Sequence, residues 1–554
     1  GESAERGGLV HNRSTDKLVC ESQDRYNACM TLLAPPPGSI GTRTAGAAPR
    51  PPADISFDRY QQAVIDCDAP VVVAKAFAGA GKTTTARGYA SARPEAKILY
   101  VCLNKANQME AAATFPPNVE ARTSHSLAYG EIGHRFKSQI VHSWKARAFA
   151  SEMSIRDARI AASTQSLLTQ FFHSRDREIE EIHAIGIKEE FSLSDVDVGN
   201  CISIARLAWS RMQTPGHLIG IPHDAYLKMW ALKKPVLSKY THIVLDEAQD
   251  SNPVTAEVIE RQRHAKRLLI GDPHQSIYLF RGAVNAMEHF ESIGATVLPM
   301  PNTWRFGPEI ADMANTLLGF FKMESTQIIG CGPVRRKNGG VSPRAVLART
   351  NVGLFAEAAV VQGKDTHWIG GVESARLDLL LSAYSLYCGK KSIVTDPVMA
   401  SYPSWSAYQD DAEATRDTEA NILIRMVNDY RHDLPKIVSA LRSNAVPTQE
   451  HAKLVLSTGH RAKGLDWDRV TLAEDFSSLG KCLAERLTNP HQRMPAALEQ
   501  EINLLYVALT RGRLEVTPNR ETHDFLRKIS THLNALVEAG ATNQPSHPSV
   551  PVGG

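Results

Sequence analysis

Val71-Val72-Val73-Ala74-Lys75-Ala76-Phe77-Ala78-Gly79-Ala80-Gly81-Lys82-Thr83-Thr84 is the stretch that decides the fold class. Its branched apolar start reads as a buried strand, its alanines and glycines as a turn, and Thr84 to Tyr89 as the opening of a helix. Gly79 and Gly81 permit the dihedrals that wrap the backbone N–H groups of Ala78, Gly79, Ala80, Gly81 and Lys82 around a phosphate, and the helix N-terminus adds favourable partial charge. In such a loop Lys82 reaches the β- and γ-phosphates of a nucleotide and the Thr83 hydroxyl ligates Mg²⁺. The strict pattern begins with Gly where this chain has Ala76, which leaves an ordinary Ala/Gly turn as the alternative.

The next apolar runs outward are Ile98-Leu99-Tyr100-Val101, Ile243-Val244-Leu245 and Leu268-Leu269-Ile270, separated by helical patterns. Continuous runs of this kind indicate a parallel sheet covered on both faces, so the fold class is α/β. Ile243-Val244-Leu245 leads straight into Asp246-Glu247-Ala248-Gln249-Asp250. Carboxylates are thereby placed at the C-terminal end of a buried strand, where open α/β sheets bind ligands. Asp246 suits the Mg²⁺ shell, and Glu247 is placed to orient or deprotonate an attacking water. Asp250 reads as a solvated acidic residue capping the following helix. Loop and carboxylates call for each other, and together they predict hydrolysis of a nucleoside triphosphate.

A second set of runs, Ala345-Val346-Leu347, His367-Trp368-Ile369, Leu454-Val455-Leu456 and Val470-Thr471-Leu472, predicts a second sheet of the same kind. The expected layout is a disordered 1–54, a first sheet domain from 55–130 and 236–305 interrupted by a helical insert at 131–235, and a second from 306–372 and 451–530 interrupted by a smaller helical insert at 373–450. A helix end and disordered tail at 531–554 complete it. The stretch from Ala34 to Ala53 is rich in Pro, Gly and Ala and reads as a linker. The first methionine is Met30, so the residues before it are expected not to belong to the natural start.

With 62 Lys and Arg against 59 Asp and Glu the net charge is +3, too small to mark the whole chain as a polyanion binder, so any nucleic-acid surface must be local. Hydrophobic residues at 43% and charged residues at 22% exclude a mainly disordered or fibrous chain. No apolar run approaches the roughly 18 residues of a membrane span, so a soluble protein with no membrane partner is expected. Cys20, Cys29, Cys67, Cys102, Cys201, Cys331, Cys388 and Cys482 are scattered without a C-x-x-C pair, which points to a reducing compartment and away from a zinc site.

Further motifs resemble those of the superfamily 1 UvrD-like helicases, and look most like the core of the F-box DNA helicases. Phe57-Asp58-Arg59-Tyr60-Gln61-Gln62-Ala63-Val64 is similar to the family's Q motif. Leu103-Asn104-Lys105 and Thr123-Ser124-His125-Ser126-Leu127-Ala128-Tyr129 resemble its single-stranded DNA contacts, and His223-Asp224-Ala225-Tyr226-Leu227-Lys228 resembles a stretch typical of the F-box branch. Gly271-Asp272-Pro273-His274-Gln275-Ser276-Ile277-Tyr278-Leu279-Phe280-Arg281-Gly282-Ala283 is similar to motif III and Thr303-Trp304-Arg305-Phe306 to motif IV. Thr458-Gly459-His460-Arg461-Ala462-Lys463-Gly464-Leu465-Asp466 resembles motif V, and Asn503-Leu504-Leu505-Tyr506-Val507-Ala508-Leu509-Thr510-Arg511 motif VI.

The resemblance implies two RecA-like domains closing on ATP and Mg²⁺ and moving 3′ to 5′ along single-stranded DNA, or DNA with a 3′ single-stranded tail. It implies that Gln61 recognises adenine, that Gln275 links the γ-phosphate to DNA, and that Asn104, Lys105, Thr123, His125, Tyr278, Phe280, Thr458 and His460 face DNA. Arg305 and Arg511 are the candidate arginine fingers, with Arg281 a third. Trp304 either stacks on adenine or is buried in the core. Tyr278 and Phe280 either stack on bases or fill the core, and His125 and His460 either contact DNA or pack and cap. Arg335-Arg336-Lys337 reads as solvated loop charge.

The departures are Thr84, where UvrD itself carries an Arg that clamps adenine, and Asp466, where most relatives have a Glu beside Gly464 for a ribose contact. No F-box is recognisable in the N-terminal stretch. The small second insert raises an alternative, a translocase that strips proteins from DNA without unwinding; another is a nucleotide-switched subunit of a larger complex, for example in anti-phage defence. Repair, recombination or replication is the expected setting, with a cytoplasmic location in a prokaryote and a nuclear one in a eukaryote.

Overall fold

The computed structural model describes residues 56–529 apart from 103, 142–143, 278–284, 335–342, 416 and 477. The expectations for 1–54, Tyr278, Phe280, Arg281, Arg335-Arg336-Lys337 and 531–554 therefore lie outside the described residues.

Strands β1 (Val71–Ala76), β2 (Ile98–Cys102), β3 (Val119–Thr123), β4 (His242–Asp246), β5 (Lys266–Gly271) and β6 (Thr296–Met300) form one sheet in the order β3-β2-β4-β5-β1-β6. Every pairing in it is parallel. β7 (Asn302–Thr303) and β8 (Ile329–Gly330) make a short parallel pair. β9 (Arg344–Ala348), β10 (Thr366–Trp368), β11 (Leu454–Thr458), β12 (Trp467–Leu472) and β13 (Gly512–Thr517) form a second parallel sheet, ordered β10-β11-β9-β12-β13. The α/β reading with two parallel sheets holds.

The apolar runs become strands because each is covered on both faces. In β1, Val73 enters one buried cluster with Leu99, Ile243 and Leu269, while Val72 and Ala74 enter another with Tyr100, Val244 and Ile270. This alternation is the period of two that a strand imposes. β3, β6 and β13 have no such run, and each is an edge strand with only one neighbour. Pro299 in β6 is tolerated there, since an edge strand has N–H groups to spare.

The first insert contains the helices Ala146–Met153, Ala158–His173, Asp195–Met212 and His223–Leu232, between β3 and β4. The second contains Leu377–Tyr387, Trp405–Ala414, Thr418–Tyr430 and Leu434–Asn444, between β10 and β11. Each shares a core with the sheet it interrupts: Phe171, Trp209 and Trp230 join the β1 face, and Leu380, Val427 and Leu441 join Val346 and Leu456. The inserts also meet each other, with Lys145 Nζ 3.0 Å from Glu419 Oε2. A cavity of about 630 Å³ opens between them, and none of the candidate site residues lines it. No helix among the described residues is long and apolar enough to cross a membrane.

The sheet order places β5 between β1 and β4, so the two chain ends that carry the phosphate loop and the carboxylates stand two strand spacings apart, about 10 Å. That gap is where the candidate site lies.

Candidate nucleotide site

After β1 the chain turns through Gly79 and Gly81, whose φ angles are +76° and +77°. Both positions are also crowded. A methyl group on Gly79 would lie 2.5 Å from Arg305 Cβ, and one on Gly81 2.6 Å from Gln61 Nε2. Gly81 precedes the helix Lys82–Ser91 with no side chain capping it, which leaves the first N–H groups of that helix for a ligand. The loop is braced from behind: Gln61 Nε2 donates to Ala80 O at 3.2 Å, its Oε1 accepts from Asp58 N at 3.1 Å, and Trp304 N donates to Gly79 O at 3.0 Å. Thr84 stands half-buried in the first helical turn.

Across the gap, Glu247 follows β4 directly and lies in the left-handed region with φ +49°, ψ +45°. That backbone costs a residue with a Cβ roughly 1–2 kcal/mol. The strained turn brings its carboxylate 2.9 Å from Lys82 Nζ. Burial opposes the Lys82 ammonium, but Glu247, Asp272 and Asp246 around it outweigh burial and hold its pKa above the ordinary value. Glu247 is likewise buried, yet Lys82 and Lys463 keep its carboxyl well below the usual range. Asp246 moves the other way, driven up by burial and by Glu247 beside it. One carboxylate stays ionised by forcing its neighbour toward the neutral form, a separation that suits an acid/base pair.

Mg²⁺ fits these residues. Asp246 Oδ2 accepts from Tyr100 OH at 2.6 Å, whereas its Oδ1 is buried without a partner among the described residues. Thr83 lies exposed in the first turn of the helix behind the loop. Asp246 and Thr83 would hold the ion, which when bound supplies charge neutralisation at the phosphates.

The second sheet domain brings Tyr506, Lys463 and Arg511 to the cleft. Tyr506, fully buried, accepts from Ala78 N at 3.1 Å and donates to Asp272 Oδ2 at 3.0 Å. His274 stacks on Phe77 with centroids 5.8 Å apart. Lys463 pairs with Asp250 and donates to Gln275 O at 2.6 Å, while Gln275 Nε2 donates to Asp272 Oδ2 at 2.7 Å. Asp250 is thus no solvated cap, and Asn252 caps the helix Pro253–Glu260 instead. Its buried carboxyl is pushed up to about 6, against the pull of Lys463.

Arg305 Nε lies 3.3 Å from Asp466 Oδ2, and its Nη1 donates to Thr510 O at 3.2 Å. Arg511 is 1% exposed and donates to neutral oxygens, Val507 O at 2.9 Å, Leu465 O at 3.1 Å and Thr510 Oγ1 at 3.2 Å. Burial, then the neighbouring Arg305, push it down to about 9. Two guanidinium groups share a buried space in which, among the described residues, Asp466 is the one carboxylate paired with either, a positive potential prepared for an anion. Asp466 also approaches Arg513 at 3.6 Å, and Gly464 turns beside it at φ +87° with open space around it. Trp304 is 51% exposed, so the core alternative for this indole is excluded.

The UvrD/REP helicase N-terminal domain family matches residues 216–292. The chain is 30% identical over 474 residues to F-box DNA helicase 1 of Gallus gallus, covering 80% of this chain and 46% of that protein. It is 28% identical over 510 residues to F-box DNA helicase protein 1 of Schizosaccharomyces pombe (strain 972 / ATCC 24843), covering 83% of this chain and 57% of that one. The chain is thus similar to UvrD-like DNA helicases over about four fifths of its length. It spans about half the length of these curated relatives.

The described residues that the UvrD-like resemblance assigns to DNA sit at or just past the C-terminal ends of strands, and several have a local job. Asn104 caps the helix Lys105–Thr114 by accepting from Asn107 N at 2.9 Å, and Lys105 is exposed. Thr123 forms a capping box with Ser126 at the head of the helix Ser124–Glu131. His125 pairs with Asp224 at 3.0 Å. Thr458 is buried, with its Oγ1 3.4 Å from Arg461 N, and His460 is half-buried. Sequence does not single out Tyr506, Lys463, Asp272 or Gln249, whose Oε1 accepts from Asp272 N at 3.1 Å. Tyr506 lies in an apolar helical run and Lys463 in a polar turn, so neither pattern carried a signal of its own.

Proposed function

We propose that the chain is an ATP-dependent motor that moves 3′ to 5′ along single-stranded DNA and unwinds duplex in repair, recombination or replication. The observation that carries this reading is Arg305 and Arg511, brought by motifs IV and VI to the buried cleft that holds the phosphate loop and Glu247. A γ-phosphate there would draw Lys82 away from Glu247, freeing that carboxylate to accept a proton from the attacking water. Trp304 and Gln61 flank the loop on the side where adenine would lie, and Lys463 and Tyr506 tie nucleotide occupancy to the position of the second domain.

Steady-state ATP hydrolysis with and without single-stranded DNA, at low and moderate salt and with Lys82→Ala as control, tests the motor. Strong salt-sensitive stimulation, lost in the variant, is the expected result. Hydrolysis that ignores DNA, or that needs a partner protein, would replace the motor by a nucleotide-switched subunit. A strand-displacement assay run beside removal of a protein filament separates unwinding from stripping. Polarity is read from substrates with a tail on one strand only.

A further inference from the structure

The stretch His223-Asp224-Ala225-Tyr226-Leu227-Lys228 takes no part in the nucleotide site, yet nearly every polar atom in it is engaged. It forms the first turns of the helix His223–Leu232, which lies between the helix Ser124–Glu131 and the end of the helix Ala158–His173 in the first insert. Asp224 accepts from both neighbours. Its Oδ1 is 3.0 Å from His125 Nε2 and its Oδ2 3.2 Å from His173 Nε2. Burial would raise this carboxyl, but the two imidazoles outweigh burial and hold it well below the usual carboxylate range. The N-terminus of its own helix favours the same ionised form.

One turn further on, Lys228 Nζ donates to Ser174 O at 2.7 Å and Asp176 O at 2.6 Å and sits 4.4 Å from the Phe171 ring. Tyr226 meets the His125 ring edge-on at 6.1 Å and the Tyr129 ring at 6.1 Å, while its hydroxyl reaches His223 Nδ1 at 2.9 Å. His125 is therefore gripped on two sides. Its Nε2 faces a carboxylate, its ring abuts an aromatic, and Nδ1 has no partner among the described residues although 37% of the side chain is exposed. A carboxylate on one ring nitrogen fixes the tautomer and aims the other nitrogen, the arrangement used to orient histidines toward ligands.

We infer that Asp224 is a positioning residue: by accepting from Nε2 of His125 it leaves Nδ1 as an acceptor and presents it to the base N–H groups of single-stranded DNA, and through His173 it ties that contact to the first insert. This rests on the reading that the helix Ser124–Glu131 faces DNA. Asp224 would then set the affinity for DNA rather than the rate of hydrolysis.

The test measures the concentration of oligodeoxythymidine that gives half-maximal ATPase stimulation in the full chain, for Asp224→Asn, His125→Ala, their double variant and His173→Gln, with a melting temperature for each. The proposal expects Asp224→Asn and His125→Ala each to raise that concentration about tenfold, with the double variant no worse than His125→Ala. His173→Gln is expected to lower the melting temperature and move the DNA dependence less than twofold. Equal shifts from His173→Gln and Asp224→Asn would mean that rigidity of the junction is what matters, and would overturn the proposal. So would a double variant whose shifts multiply. If His125→Ala itself leaves the DNA dependence intact, the DNA-facing reading of its helix fails first. Should Asp224→Asn not fold, the pair His125→Ala and His173→Gln decides alone, since equal shifts again overturn the assignment.

Discussion

The nucleotide cleft and the DNA-side strand ends are built on opposite plans. In the cleft, polar groups are left in conflict: Glu247 holds a left-handed backbone, Asp246 Oδ1 and Asp250 Oδ1 are buried without partners among the described residues, and Arg305 and Arg511 repel each other. At the strand ends Asn104 and Thr123 are satisfied within their own turns, and Nε2 of His125 by Asp224. A site whose conflicts are relieved by a ligand gains binding energy and gives up stability when empty; a site assembled from finished caps does neither.

The largest effect expected from this contrast is at Glu247. Glu247→Gln should lower turnover by about a thousandfold or more while ATP still binds, because the carboxamide keeps the shape and loses the base. Hydrolysis near the wild-type rate would break the assignment. Arg511→Met should cost about 10³ in rate, as expected of an arginine finger, and yet raise the melting temperature, since it removes a cation that burial penalises. A melting temperature that falls would show Arg511 to be structural and erase the contrast.

Caps sharpen the other side of the comparison. Asn104→Ala should cost about 1 kcal/mol of stability through the lost cap, together with weaker DNA stimulation, whereas Asn104→Asp keeps the cap and should weaken DNA stimulation alone. Chemical denaturation read beside the DNA dependence separates the two. The smallest effect lies away from both regions. At the start of β4, burial, then Arg93 and Lys266, lower His242 to about 4. A folded pKa below the unfolded value adds stability above pH 6.5 that is lost as the pH falls toward 4, on the order of 1 kcal/mol after allowing for solvent screening. His242→Gln should flatten that part of the stability profile, as followed by thermal melts across the range.

How much of this was legible in sequence depended on burial. Val71 to Ala76 and His242 to Asp246 announced themselves because a strand covered on both faces must be apolar throughout, and the loop and carboxylates then followed from their positions. β3 and β13, exposed on one side, mix charge into their runs, and Val119-Glu120-Ala121-Arg122-Thr123 resembles a loop as much as a strand. The sequence around Asp250 misleads for a related reason. Its partner Lys463 lies more than two hundred residues away, and no local pattern distinguishes a carboxylate that will face solvent from one that will meet a lysine of another domain. Trp304 reads equally as core or ligand contact in sequence, because an indole beside an arginine satisfies either; its exposure removes the core reading.

That exposure makes the protein its own optical probe. The tryptophans at 209, 230, 368 and 467 are buried and those at 144 and 405 partly so, while the indole of Trp304 stands half in solvent beside the phosphate loop. Long-wavelength emission would come disproportionately from this side chain, and a base stacked on it would quench or shift that light. Nucleotide occupancy could then be followed in real time in the unlabelled chain, with Trp304→Phe as the dark control.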